Sequence, residues 1–241
     1  MANKAIGIIL TYNCAPFLPG LLTRIPKGVL NEIIVVDDAS VDHTANVAEG
    51  LGLAVFAHEH LGYGGNLKYG FTRALERGAD YMVEIHGDGQ FDPSVIPAAL
   101  EKLSRGCDFV IGSRFTNMLQ PLRDGMSKAR YFANIGLSFF DRIILGLPLT
   151  EFHTGFRAYS KKLVGAIGTD KGANDYLYSF EIIVMARYRN LRFCEIPVRA
   201  NYKGAHTSIS IRKSAVYSFQ TFWVLFLYLL ARLGLKTRLF R

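Results

Sequence analysis

Apolar and polar positions fall along this chain in blocks. Apolar runs at residues 5–10 and 33–36 each end in a polar cluster, Thr11-Tyr12-Asn13 and Asp37-Asp38-Ala39-Ser40, the pattern of strands buried on both faces of a parallel sheet. Residues 16–25 and 42–51 carry apolar positions at helical spacing, the second behind the capping-type Ser40 and Asp42. Residues 55–57 read as a weak third strand, followed by Gly62-Tyr63-Gly64-Gly65-Asn66 and a helical stretch over 67–77. Strand formers over 81–85 then run into His86-Gly87-Asp88-Gly89-Gln90.

The second half continues the alternation. A helix is expected over 96–104, a strand over 107–111 ending in Gly112-Ser113-Arg114, a loop over 115–128 and a helix over 130–145. A polar, glycine-bearing turn at 151–157 precedes a helix from Lys161; a helix follows over 178–187, then an edge strand over 193–198, where Pro197 is tolerated. The β-α alternation predicts one α/β domain with a mostly parallel sheet. Ligands bind such sheets beyond the carboxyl ends of the strands, where Tyr12-Asn13, Asp37-Asp38 and His86-Asp88 all fall.

Residues 214–231 contain no charged side chain and are flanked by Arg212-Lys213 and by Arg232, Lys236, Arg238 and Arg241. At about 1.5 Å per residue they reach about 27 Å, just short of a hydrocarbon core of roughly 30 Å. Ser214, Ser218, Thr221, Tyr228 and Arg232 mark a more polar face, opposite Phe219, Trp223, Phe226 and Leu230. The segment reads as an amphipathic helix lying in a membrane interface, with docking against the protein body as the alternative. The expected division is a domain over 1–212 and a membrane-associated helix over 213–241.

The chain has 241 residues, half of them hydrophobic, enough for a full core. A net charge of +8 and a pI near 9.4 call for an anionic partner: nucleic acid, sugar nucleotide or acidic membrane surface. Cys14, Cys107 and Cys194 are few and widely spaced, which indicates neither a disulfide framework nor a zinc site and fits a reducing cytosolic setting.

The chemistry concentrates after the fourth strand. His86, Asp88 and Gln90 recur with period two and share one face in extended chain, while Gly87 and Gly89 leave the backbone open to a large anion. One carboxylate, an amide and an imidazole make a thin shell for a hard cation, so the ion is expected to arrive with a diphosphate. The glycines of 62–65 before a helix suggest a phosphate cradle, with a tight strand-to-helix loop as the equal alternative. His58 and His60 read as solvated loop residues.

Together these motifs resemble the family-2 inverting glycosyltransferases, closest to the dolichyl- and polyprenyl-phosphate sugar synthases. Thr11-Tyr12-Asn13 and Asp37-Asp38-Ala39-Ser40 match nucleotide-binding strand ends, Gly62 to Asn66 the glycine loop, and His86 to Gln90 the Asp-x-Asp-x-Gln metal motif. Gly112-Ser113-Arg114, Thr154-Gly155-Phe156-Arg157 and Glu195-Ile196-Pro197-Val198 match in order. Three positions depart: His86 replaces the first aspartate of the metal motif, Glu151 an aspartate before Gly-Phe-Arg, and Lys203 an arginine. The Gln-x-x-Arg-Trp signature of processive synthases is absent.

The resemblance implies a Rossmann-like GT-A domain that moves one sugar, with inversion, from a GDP- or UDP-sugar to a polyprenyl or dolichyl phosphate. It implies Thr11, Tyr12, Asn13, Asp37, Asp38, Gly62, Gly64, Asn66 and Gly87 around the nucleotide. Asp88, Gln90 and His86 would hold Mg2+ or Mn2+, imidazole favouring Mn2+. Arg114 and Arg157 join Asp88 and Glu151 as catalytic candidates, and Arg130, Lys203 and Ser208 meet the acceptor phosphate. The implied partners are a nucleotide sugar, a lipid phosphate and the cytoplasmic face of a membrane, held peripherally or monotopically. Nucleic acid is not among them, and the oligomeric state is open. A hydroxyl acceptor with Glu151 as base, a non-catalytic sugar-nucleotide-binding module and, more distantly, a nicotinamide-dependent oxidoreductase are the competing readings.

Overall fold

The computed structural model describes residues 3–202 and 211–240, with side chains from Ser214 in the second segment. Lys203 and Ser208 lie outside the described residues. Among the described residues seven strands form one sheet: β1 (Ala5–Thr11), β2 (Glu32–Asp37), β3 (Ala54–Ala57), β4 (Tyr81–His86), β5 (Phe109–Ser113), β6 (Arg157–Ser160) and β7 (Phe193–Pro197). The order is β3-β2-β1-β4-β6-β5-β7. All pairings are parallel except those of β6, which runs antiparallel to both β4 and β5. The chain leaves β1 for β2 on one side and lies against β4 on the other, so the order reverses at β1 and opens a crevice above the ends of β1 and β4.

Helices α1 (Leu18–Arg24), α2 (Thr44–Gly50) and α4 (Ile96–Ser104) cover one face; α3 (Gly62–Glu76), α7 (Lys161–Ile167), α8 (Leu177–Tyr188) and α9 (Ile211–Arg232) cover the other. The strands alternate between these two cores: Met82 packs with the α3 and α8 side, Val83 and Ile85 with the α1 and α4 side. A four-residue α5 (Gln120–Arg123) interrupts the expected loop, and α6 (Lys128–Leu145) follows it.

Three expectations change. Arg157 opens a strand rather than a turn, because β6 fills the gap between β4 and β5 with four buried residues, too few to write a period. Cys107 and Cys194 form a disulfide despite a separation of 87 residues, since β5 and β7 are sheet neighbours; Cys14 is the free, buried cysteine. The third concerns α9, whose residues Ser214–Arg232 are long and apolar enough to cross a membrane. Its partly polar face turns inward: Thr221, Val224, Leu225, Tyr228 and Ala231 are buried, and the last four join the main core. Phe219 (76% exposed), Trp223 and Phe226 point away. The helix thus shares the core of the body.

Candidate functional site

Beneath the crevice lies a buried carboxylate. Glu84, 1% exposed on β4, accepts hydrogen bonds from the hydroxyls of Tyr63 on α3 and Tyr159 on β6, and faces His86 Nε2 at 3.2 Å. Burial alone pushes a carboxyl up, but the hydrogen bond and charge of His86, the Arg157 charge and the Tyr159 hydroxyl outweigh it and hold Glu84 below its ordinary value. Burial likewise opposes a charged His86, yet the Glu84 hydrogen bond and the charges of Glu84 and Asp88 raise its pKa. The ring lies between Tyr63 and Phe91, at centroid distances of 5.7 and 5.3 Å. Gly155 fits under it: a Cβ there would stand 2.6 Å from the imidazole.

Arg157, 1% exposed, does not reach the crevice. Its guanidinium donates to the backbone carbonyls of Thr154 (3.0 Å), Phe152 (3.3 Å) and Ser179. This catalytic candidate is engaged as a clamp that joins β6 to α8. Arg114 is also engaged: its Nε donates to Glu151 Oε1 at 2.8 Å, Nη2 to the same carboxylate and to His153 O, and Nη1 to the Tyr202 hydroxyl at 2.6 Å. The Arg114 backbone N–H takes the other Glu151 oxygen at 2.7 Å, so both oxygens of this fully buried carboxylate are occupied.

Most of the expected nucleotide contacts build the crevice walls. Asp37 accepts from Thr11 Oγ1 (2.8 Å) and from Ser40 N and Oγ, and Ser40 Oγ in turn accepts from Asn13 N. Asn13 adopts a left-handed conformation with φ 54° and accepts from Val41 N, closing the loops after β1 and β2 on each other. Asp38 accepts from Leu61 N (2.6 Å) and Gly62 N (3.0 Å). Asn66 donates to the carbonyls of Val36 and Thr11 and pairs with His58 Nε2 at 2.9 Å. His58, its side chain 9% exposed, is therefore a tie within the wall rather than a solvated group.

The glycine loop proves to be the first turn of α3, and its amides already hold chain oxygens. Gly64 N donates to Asn174 O at 2.8 Å, and a Cβ on Gly62 or Gly64 would stand 2.7 or 2.6 Å from backbone oxygens of the 173–175 loop. These glycines admit that loop. Gly87 likewise admits the end of β1, where a Cβ would meet Leu10 O at 2.8 Å.

What faces the crevice is a shorter set. Tyr12, 53% exposed, lies 5.0 Å from the ring of His60, which Asp38 holds at 2.9 Å. Asp88 and Gln90 are half-buried at the end of β4, with Asp88 Oδ1 accepting from Gln90 N at 3.0 Å. Tyr176 stacks on Tyr63 at 5.1 Å. Arg130 is half-buried in the first turn of α6. Among the described residues no three His, Cys, Asp or Glu side chains form a metal cage. The set fits a cation that takes part of its shell from substrate phosphate. His86 Nε2 already faces Glu84, and a ligating imidazole must be neutral, so the structure favours Asp88 and Gln90 over His86.

The residues that sequence reasoning missed are Glu84, Tyr63, Tyr159 and Tyr176. The one local signal was Glu84, a carboxylate inside an apolar strand run. Replacing Glu84 with Leu is expected to cost about 3–5 kcal/mol in denaturant unfolding, as the paired His86 and two hydroxyls lose their acceptor; a cost below about 1 kcal/mol would refute the knot. His86, raised from 6.5, contributes fully below that value and fades as pH climbs through its folded pKa. Glu84, lowered from 4.5, contributes above that value and is lost as pH falls through its folded pKa. The gap between wild type and mutant should therefore be widest from 4.5 to 6.5.

Comparison with known proteins agrees with this architecture. An undecaprenyl-phosphate mannosyltransferase of Micrococcus luteus is 34% identical over 205 residues, covering 81% of this chain and 82% of the relative. A UDP-N-acetylglucosamine–dolichyl-phosphate N-acetylglucosaminyltransferase of Methanococcus voltae is 26% identical over 222 residues, covering 84% and 88%. The crystal structure of glucosyl-3-phosphoglycerate synthase from Mycobacterium tuberculosis, bound to Mn2+, UDP and glucosyl-3-phosphoglycerate, superposes with a TM-score of 0.71 at 17% identity, covering 98% of this chain and 82% of that one, and so shares the GT-A-like fold. The sequence profile of Glycosyl transferase family 2 matches residues 8–168, more than half of the chain. On that match and the Micrococcus likeness, the chain belongs to glycosyl transferase family 2.

Proposed function

We propose that this enzyme transfers one sugar, with inversion, from a GDP- or UDP-sugar to a polyprenyl phosphate. The observation that carries the acceptor assignment is the buried Arg114–Glu151 pair. With both carboxylate oxygens engaged, Glu151 is not poised to take a proton, which suits an acceptor that needs none. A phosphomonoester is already anionic near neutrality, its second pKa being about 6. The printed names of the Micrococcus and Methanococcus relatives, both prenyl-phosphate sugar transferases, support the same reading.

In this reading Tyr12 and His60 flank the nucleobase, while Thr11, Asn13, Asp37, Asp38 and Asn66 keep the strand ends in register, and Gly62, Gly64 and Gly87 let the surrounding backbone close in. Asp88, with Gln90 beside it, would hold Mg2+ or Mn2+ jointly with the donor diphosphate. When bound, the ion supplies neutralisation of charge growing on the leaving group. Arg130, Lys203 and Ser208 are assigned to the acceptor side. Arg114 and Glu151 act as positioning residues, fixing the loop after β5 against residues 150–153.

The outward face of α9 is assigned to a membrane surface on its cytoplasmic side. Phe219, Phe222, Trp223 and Phe226 are exposed, and Phe140 of α6 lies 5.9 Å from Phe222, extending the apolar surface to Phe132, Phe139 and Ile143. Exposed Arg232, Lys236 and Arg238 lie at its end, suited to anionic headgroups.

Three measurements test the reading. Asp88→Ala should lose at least about 100-fold in transfer with an unchanged unfolding midpoint; near-normal turnover would sink the ion assignment. The rate should fall as pH drops through about 6, where the acceptor protonates, and that limb should persist in Glu151→Gln. Its disappearance, with a loss above about 1000-fold in a folded mutant, would make Glu151 a general base for a hydroxyl acceptor. Replacing Phe219 and Trp223 together with Ser should release the folded protein from phosphatidylglycerol vesicles; undiminished sedimentation would place the anchor elsewhere.

A further inference from the structure

Arg114 and Arg157 are engaged internally, and of the residues assigned to the acceptor side only Arg130 lies among the described residues, which leaves room for a further contact to the acceptor's phosphate. One cavity beside the ion loop has the matching chemistry. It measures about 360 Å3 and lies between α1, α5 and a short ribbon in which Asp92 N donates to Arg199 O (3.1 Å) and Asn201 N to Gln90 O (2.8 Å). Arg24, Arg123 and Arg199 line it from three separate elements. Gln90, two residues from Asp88, forms part of its wall.

The charges do not cancel. Two carboxylates line the same cavity: Asp124 is paired with Arg199, and Asp92 Oδ1 accepts the Ser94 N–H at 3.0 Å. Arg24 donates Nη2 to Gly89 O at 2.9 Å and Nε to Gly20 O, both neutral acceptors. Arg123 is exposed and has no ion pair among the described residues. Among the described residues, two guanidinium charges thus stand in a concavity with one carboxylate that has no ion pair. A cavity of this size admits a phosphate group with the first carbons of a chain, and guanidinium forks match phosphate oxygens in bidentate fashion.

We infer that the cavity lined by Arg24, Arg123 and Arg199 binds a phosphomonoester and, resting on the function proposed above, that this is the phosphate of the acceptor. Arg24 ties the site to the ion loop through Gly89, the residue between Asp88 and Gln90. A bound phosphate is thereby held next to the reacting centre instead of on a remote surface.

Arg123→Glu tests this without touching a described partner. The full chain is titrated with farnesyl phosphate, with inorganic phosphate, and with UDP and GDP in the presence of Mn2+. Farnesyl phosphate should bind the variant about tenfold or more weakly, as expected for loss of a charge-assisted contact; Arg123→Lys should recover most of the loss, and nucleotide affinity should stay within about twofold. Equal farnesyl phosphate affinity in wild type and variant overturns the site, and so does a parallel loss of nucleotide affinity. Arg123-dependent binding of inorganic phosphate with none of farnesyl phosphate overturns the acceptor assignment. If no nucleotide sugar supports transfer yet Arg123-dependent binding of farnesyl phosphate remains, the functional reading fails and the cavity stands.

Discussion

The carboxyl edge of the sheet depends on one charge that cannot reach water. Glu84 is tolerated where it lies because donors reach it from α3, from β6 and from the next residue on its own strand face. Each donor fixes the element that carries it. Arg157 adds positive charge nearby while its N–H groups hold two carbonyls of the 152–154 turn and one of α8. The floor of the crevice is consequently set by internal bonds, so a ligand meets a surface already in place.

Strand ends were legible in the sequence because a parallel strand buried on both faces writes itself as an unbroken apolar run. The crevice followed from their order. The distinction between a side chain that faces a ligand and one that holds the wall was not legible. Asp37, Asp38 and Asn66 carry the donors and acceptors a nucleotide needs, and the same atoms join loops equally well; only their partners across the fold decide. Glu84 announced a buried charge, but its hydroxyl donors lie 21 and 75 residues away, beyond any local pattern.

The terminal helix shows the same limit. Periodicity reveals that a helix has two faces and leaves open which one the protein covers. Here Thr221 bonds back to Ser218 O at 2.7 Å and Tyr228 joins the core, so the less apolar face can be buried with its hydroxyl at Thr221 satisfied. The aromatic face is left outward, beside the exposed aromatics of α6. Large exposed patches of this kind mark interaction surfaces.

The antiparallel strand β6 also bears on the order in which the molecule can assemble. Among the described strands, β3-β2-β1-β4 and the β5-β7 pair are joined in the sheet by the four residues of β6. The first group is complete in the chain by residue 86, whereas β6 begins only at residue 157. During synthesis the N-terminal segments are available to fold first. Asp88 belongs to the early group, and Arg114 with Glu151 to the later one. A nascent chain can therefore bury its first four strands before its two sides meet, and the sheet is complete only when β6 docks.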